Sequence, residues 1–275
     1  MLFRSPVNHL KIQGLQFQHG TWLESNTYGT NFVDLQANVF MILEGTARSG
    51  KPTPGNIILR YTNGVWLENC TFCHLGATGI DLQRGTQNTR FIGNVVKDVS
   101  GIGIQIGETA LPHVSPSDPK AVVDNWIINN YITNCSVEYR GGPGIFTGYV
   151  RNTRIEHNTI SNICYTGISV GWGWSATLTV CANNTVLHNR IYGVMTYLYD
   201  GGGIYTLSTQ PGTKVNYNVI HDSGWNGLYP DERTNSTQWV GNVVYRCFNT
   251  YQNHIMFYDD FDDKAKAYAD RKSVV

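Results

Sequence analysis

A glycine followed by an aliphatic residue recurs at Gly79-Ile80, Gly103-Ile104, Gly144-Ile145, Gly167-Ile168, Gly203-Ile204 and Gly227-Leu228, at intervals of 24, 41, 23, 36 and 24 residues. One unit near 24 residues, alone or with an insertion, is the mark of stacked repeats. A second anchor is an Asn leading into an aliphatic segment, at Asn94, Asn130, Asn158, Asn189, Asn218 and Asn242. The step from Asn to the next Gly is 9 residues after Asn94, Asn158 and Asn218, and 14 after Asn130 and Asn189. Two connections therefore carry five-residue insertions, and both run into Gly-rich strings.

Between the anchors the segments are short, β-branched and alternating, as in Asn152-Thr-Arg-Ile-Glu-His-Asn158. They read as strands of four to six residues separated by tight turns. Such a period leaves no room for crossover helices, so the expected fold is an all-β right-handed parallel β-helix, a solenoid of roughly eight to nine coils. Ile80, Ile104, Ile145, Ile168, Ile204 and Leu228 should stack inward, and the Asn anchors should form an amide ladder in bent turns. Composition agrees: 29 Gly and 26 Asn stand against 10 Ala, a ratio hostile to helical bundles and doubly wound folds.

Composition also narrows function. Charged residues make up 15% with a formal balance of zero, which argues against nucleic acid as a partner. No run of about 18 apolar residues occurs, so no membrane-spanning helix is expected. The six cysteines, Cys70, Cys73, Cys135, Cys164, Cys181 and Cys247, lack the spacing of a disulfide framework or a zinc site and read as small hydrophobes. Neither a metal nor a cofactor is expected: the histidines show no ligand spacing, and Gly101-Ile-Gly103 lacks the third glycine and the helix of a nucleotide site.

The residue two past each Gly should point out of the coil, giving the column Asp81, Gln105, Phe146, Ser169, Tyr205 and Tyr229. The next outward column is Gln83, Gly107, Gly148, Gly171, Leu207 and Asp231. A long face carrying aromatic rings and carboxylates suits an oligosaccharide, whose C–H faces stack on rings and whose hydroxyls need polar partners. Glycoside cleavage generally needs two flanking carboxylates. Asp200, just before Gly201-Gly202-Gly203, is one candidate, and Asp231 or Glu232, after Tyr229-Pro230, the other. By simple coil arithmetic these acids are offset, so only a bend at the glycine run would bring them together. Asp222 lies nearer by stacking but falls in the column of Asp98, Asn134, Asn162, Gly193 and Arg246, which reads as a turn ladder. Candidate substrate contacts are Trp172, Trp174, Tyr205, Tyr229, Glu138 and Arg140, the last two being equally readable as an exposed loop pair.

The strings Gln13-Gly-Leu-Gln-Phe-Gln-His-Gly-Thr-Trp22, Gly167-Ile-Ser-Val-Gly-Trp-Gly-Trp174, Asp200-Gly-Gly-Gly-Ile-Tyr-Thr206, Gln210-Pro-Gly-Thr213 and Gly227-Leu-Tyr-Pro-Asp-Glu232 occur in this order. Together they resemble the bacterial β-helix proteins that include glycoside hydrolase families 120 and 141. The resemblance implies a secreted, periplasmic or cell-surface protein acting on a plant or mucin-type polysaccharide, xylan- or fucose-containing. It places the carboxylate pair on Asp200 with Asp231 or Glu232. A non-catalytic carbohydrate-binding protein of the same fold is the alternative, and a polysaccharide lyase the third reading. Residues 1–5 and 270–275 read as translations of a common sequencing adapter, so the β-helix domain is expected over 6–262, as part of a longer parent chain lacking its N- and C-terminal portions here.

Overall fold

The structure, a computed structural model, describes residues 7–28, 32–44, 47–252 and 268–269; the two adapter-like ends lie outside them. The chain winds as a right-handed parallel β-helix whose coils each contribute one short strand to each of three sheets. Sheet one stacks nine strands, from Lys11–Gln13 through Trp66–Glu68, Arg90–Ile92, Trp126–Ile128, Arg154–Glu156, Thr185–Leu187, Thr209–Asn216 and Asn235–Val240 to Tyr268–Ala269. Sheet two runs from Gln16–Gln18 to the first half of Val219–Pro230, and sheet three from Gly55–Leu59 to its second half. That twelve-residue strand turns the corner without a break and fuses the two sheets, and Val243–Tyr251 pairs along it.

Alternation within each strand points one residue per rung into the coil. The registers stack these residues in three columns. Sheet one contributes Leu67, Phe91, Ile127, Ile155, Val186, Val215 and Trp239. Sheet two contributes Phe72, Val96, Ile132, Ile160, Ile191, Ile220 and Val244. Sheet three contributes the glycine-following stack, Ile80, Ile104, Ile145, Ile168, Ile204 and Leu228, paired rung to rung. All of these side chains are buried in one continuous core.

The corner between sheets one and two is built on asparagine. The side chains of Asn94, Asn130, Asn158, Asn189, Asn218 and Asn242 are buried, and each Oδ1 accepts the main-chain N–H of the rung before it, from Cys70 N on Asn94 to Asn218 N on Asn242. Each Nδ2 donates to a carbonyl of the preceding coil, Leu67 O for Asn94 and Val215 O for Asn242. The ladder asparagines do not themselves adopt the bent conformation. It falls on the residue before each: Gly93, Asn129, His157, His188, Tyr217 and Gly241 all have φ near +55 to +67°. A buried amide can bridge rungs only from an extended backbone, so the reversal is displaced by one position. The Asp222 column is a turn ladder: Asp98, Asn134, Asn162, Gly193, Asp222 and Arg246 all have φ between 51 and 60°.

The corner between sheets two and three is interrupted in three coils, and the return from sheet three to sheet one in two, by residues 107–121 and 171–184. Coil one leaves the former at residue 19 for an excursion to residue 54, coil four inserts residues 136–143, and coil six inserts residues 195–201. The excursion carries its own antiparallel sheet, Phe32–Asp34, Val39–Glu44 and Ala47–Pro52. It packs on the coil-four insertion, where Tyr139 meets the rings of Trp22, Phe32 and Phe40 at 5.2 to 6.3 Å. Sequence periodicity gave no sign of this antiparallel element, which has no counterpart in any other coil.

Candidate functional site

The excursion changes the outward column of sheet three. Asp81, Gln105, Phe146, Ser169, Tyr205 and Tyr229 all point away from the coil interior, as their alternation requires, yet none is more than 6% exposed. Phe146 lies under Ala37 and Trp172, and Tyr205 packs with Leu207 and Tyr229. The open aromatic face expected from the sequence is therefore largely roofed, and Tyr205 and Tyr229 do not offer ring faces to a ligand. Their rings meet edge to face, 5.3 Å apart, and their hydroxyls reach the acids instead.

Asp200 is exposed, in a left-handed backbone conformation (φ 61°) that a short acid tolerates better than most residues. The Tyr165 hydroxyl donates to its carbonyl at 2.6 Å, and Asn226 Nδ2 donates to the carbonyl of Gly201 at 3.0 Å. A Cβ at residue 201 would lie 2.7 Å from the Tyr165 ring, so only glycine lets this segment approach so closely. Asp231 is buried, and its main chain is pinned by Asp231 N to Thr206 O at 3.0 Å and Thr234 N to Asp231 O at 2.9 Å. The Tyr205 hydroxyl donates to Asp231 Oδ2 at 2.5 Å.

Tyr229 joins the two acids. Its hydroxyl is 3.1 Å from Asp200 Oδ1 and is also hydrogen-bonded to the Asp231 carboxyl. Two oxygens in hydrogen-bond reach of one atom lie within about 7 Å of each other, below the upper limit of about 9.5 Å for glycosidase carboxylates. The left-handed turn at Asp200, just before the strand Gly202–Thr206, thus sets on one phenol Asp200 and Asp231, which coil arithmetic kept apart; the glycine run itself does not bend. Burial first, and then the charges of the neighbouring acids, push all three phenols, Tyr165, Tyr205 and Tyr229, well above the usual tyrosine range. They are held as hydrogen-bond donors.

Glu232 is half-buried, and its carbonyl accepts from Ser208 N at 3.2 Å; the phenols go to its neighbour. Asp222 lies elsewhere, exposed on the turn ladder in a two-pronged pair with Arg246 (2.6 and 2.7 Å) and a hydrogen bond with His221. Arg246 and His221 hold its carboxyl far below the usual carboxylate range. Trp172 is half-buried against Phe146, and Trp174 is 47% exposed beside it, their rings 5.1 Å apart. This Trp pair borders the acids from the side of Ser208, whose hydroxyl donates to Gly173 O at 2.6 Å. Glu138 and Arg140 are exposed, and the Arg140 guanidinium lies 3.8 Å from the ring centre of Tyr197 in the coil-six insertion. Tyr197 and Tyr165 were not singled out from sequence. Among the described residues no three His, Cys, Asp or Glu side chains converge as metal ligands would, no helix is long and apolar enough to cross a membrane, and all six cysteines are free thiols.

Comparison with known proteins agrees on the solenoid. The family profile described as "Right handed beta helix region" matches residues 57–244, and the chain belongs to that family. A solved structure titled "Glycoside hydrolase" superposes with a TM-score of 0.80 at 27% identity, over 90% of this chain and 48% of that one. The chain thus spans about half the length of that relative. A second, "The complex structure of XylC with xylose", shares the fold at a TM-score of 0.54 and 13% identity, over 73% of this chain and 32% of the other. No curated protein matches by sequence.

Proposed function

We propose that the chain carries the active site of a glycoside hydrolase, with Asp200 as general acid and Asp231 as the base or nucleophile. The observation that carries this reading is the single hydroxyl of Tyr229 between the two carboxyls. A phenol has one proton to give. That proton goes to Asp200 Oδ1 at 3.1 Å, while the Asp231 carboxyl takes the Tyr205 proton at 2.5 Å and is also hydrogen-bonded to the Tyr229 hydroxyl, so one phenol ties the two acids into one site. Two carboxyls held on one phenol supply the pair that glycoside cleavage needs. Exposure fits the roles: Asp200 stands at the mouth, where a leaving oxygen would depart, and Asp231 sits on the floor.

The likeness to a solved glycoside hydrolase over nine-tenths of this chain supports the reaction class. The sequence strings shared with glycoside hydrolase families 120 and 141 support a xylose- or fucose-bearing plant or mucin-type glycan as substrate. A lyase would need a phenolate or another strong base to abstract a proton, and these phenols are instead held protonated by burial and adjacent carboxylates. The test is a leaving-group series on aryl xylosides and fucosides. Asp200→Asn should lose about 10³-fold on a poor leaving group, yet keep much of its rate on dinitrophenolate, which departs unprotonated. Asp231→Asn should lose activity on both. Sugar binding without hydrolysis by the wild-type protein would assign the fold to carbohydrate binding.

A further inference from the structure

Beside Asp200 the solenoid carries exposed rings that the acid pair does not use. Tyr199, the residue before Asp200, is 69% exposed, and its ring stands at 69° to that of Trp225, 5.0 Å away. Trp225, half-buried on the core, lies flat against Phe248 of the next coil, 4.6 Å apart and 8° from parallel. With one face spent on Trp225, Phe248 is still 68% exposed. Rings of coils six, seven and eight thus form an L-shaped apolar shelf that begins one residue from Asp200. Aromatic side chains are large, and a contiguous apolar patch of a few hundred Å² on a protein surface marks a place where something binds.

The backbone aims the shelf. Ser223 pairs with Cys247 and Asn226 with Asn249, so two residues, Gly224 and Trp225, stand opposite one, Phe248. Such a β-bulge bends its strand and re-aims a side chain. Glycine is needed inside it: a Cβ at residue 224 would lie 2.3 Å from the carbonyl oxygen of Met195, where the coil-six insertion begins. Asn226, fully buried, then fixes the three coils to one another. Its Nδ2 donates to Gly201 O and its Oδ1 accepts from Asn249 Nδ2, both at 3.0 Å. One amide therefore ties together the residues that follow Asp200, Trp225 and Phe248, and the shelf is held to the backbone of the acid itself.

Position names the occupant. Trp225 and Phe248 stand where their strands enter sheet three, as Asp200 does, whereas Asp231 stands past the exit. A general acid protonates the oxygen of the leaving group, so rings beside Asp200 on the side away from Asp231 face the departing sugar. Sugar C–H faces stack on such rings. We infer that Tyr199, Trp225 and Phe248 form a subsite for a saccharide on the leaving-group side, so that the substrate is an oligosaccharide or polymer cut within its chain. This rests on the hydrolase reading for the direction of the chain but not for the contact, and the experiment separates the two. Calorimetry with xylohexaose and with a fucosylated pentasaccharide is run on Asp200→Asn, where nothing is cleaved. Adding Trp225→Ala or the more exposed Phe248→Ala should weaken binding about 10-fold. In the otherwise wild-type protein, Phe248→Ala should lower the ratio of kcat/KM for the oligosaccharide to that for the glycosyl fluoride of the same sugar about 10- to 100-fold, because fluoride is too small to reach the rings. Binding undiminished in both variants, an unchanged ratio, or no binding of either probe would overturn the subsite even if the wild type is an active hydrolase. A dimer that Phe248→Ala dissociates, read by sedimentation, would assign the rings to a second copy of the chain and overturn it too. Ring-dependent binding by a protein that cleaves no glycoside would uphold the shelf and overturn the hydrolase reading.

Discussion

The two corners of sheet two do opposite things with the same short connection. At the corner shared with sheet one, six buried asparagines repeat without interruption, and each rung closes on the next through the same bonds. At the corner shared with sheet three, three coils break the repeat with insertions of different length, and the acids and the bridging tyrosine gather beside them. Repetition gives a corner whose bonds are interchangeable and therefore additive. Interruption gives one where residues far apart in sequence meet once, in an arrangement no other rung shares. Stability should sit mainly in the first corner and chemistry in the second.

The largest expected effect tests the repeating corner. Asn158→Leu strands the Asn130 N–H and the Ile127 carbonyl in a dry interior. At about 1–3 kcal/mol for each unpaired group, the loss should reach about 3–5 kcal/mol in urea unfolding, with kcat unchanged. A comparable fall in kcat for the folded variant would show that the corners are not separate. Next in size is Tyr229→Phe at the interrupted corner. It should lower kcat about 10- to 100-fold and cost no more than about 1–2 kcal/mol of stability. A larger stability loss with normal kcat would make the phenol a structural prop.

A third effect depends on pH and lies on the same outward column, away from the acids. Burial pushes Asp81 up to about 6 from 3.8, against the pull of the Gln83 and Gln105 side chains. Between those values the folded protein holds a proton that the unfolded chain releases. The carboxyl therefore favours folding most at low pH, and that contribution is lost as pH rises to about 6. Asp81→Asn should stabilise the protein by about 1–3 kcal/mol more at pH 7.5 than at pH 4, read from urea midpoints; an equal difference at both pH values would refute the burial effect. The smallest effect is Ala37→Gly, which should raise stability by up to about 1 kcal/mol by relieving the left-handed backbone of residue 37 (φ 58°). A loss there would mean that Ala37 packing on Ile102 and Phe146 outweighs the strain.

What could be read from sequence follows the same division. The glycine and asparagine columns were legible because one physical demand repeats at each rung: close approach of Gly79, Gly103, Gly144, Gly167 and Gly203 to the next coil, and an amide able to bridge coils. Asp200 and Asp231 could be named because a glycine run and a strand exit mark where an acid can leave the coil. Their meeting could not, since it depends on the left-handed turn at Asp200 and on a shared bond to Tyr229. Nor could the burial of Tyr205 and Tyr229, because it comes from their packing on each other and on Leu207, which a repeat pattern does not reveal. Asp231, not Glu232, is the acid bonded to the phenols, as alternation past Tyr229 turns residue 231 to the same side as their rings.

The pairing of Asp200 with Asp231 is tested most directly by turnover of a cleavable aryl glycoside with a poor leaving group in Asp200→Asn, Asp231→Asn and the double variant. Residues that act as one unit are not additive. Each single variant should lose about 10³-fold in kcat, and the double variant should be no worse than the weaker of the two. Wild-type turnover in either single variant, or losses that multiply in the double, would contradict a shared reaction centre.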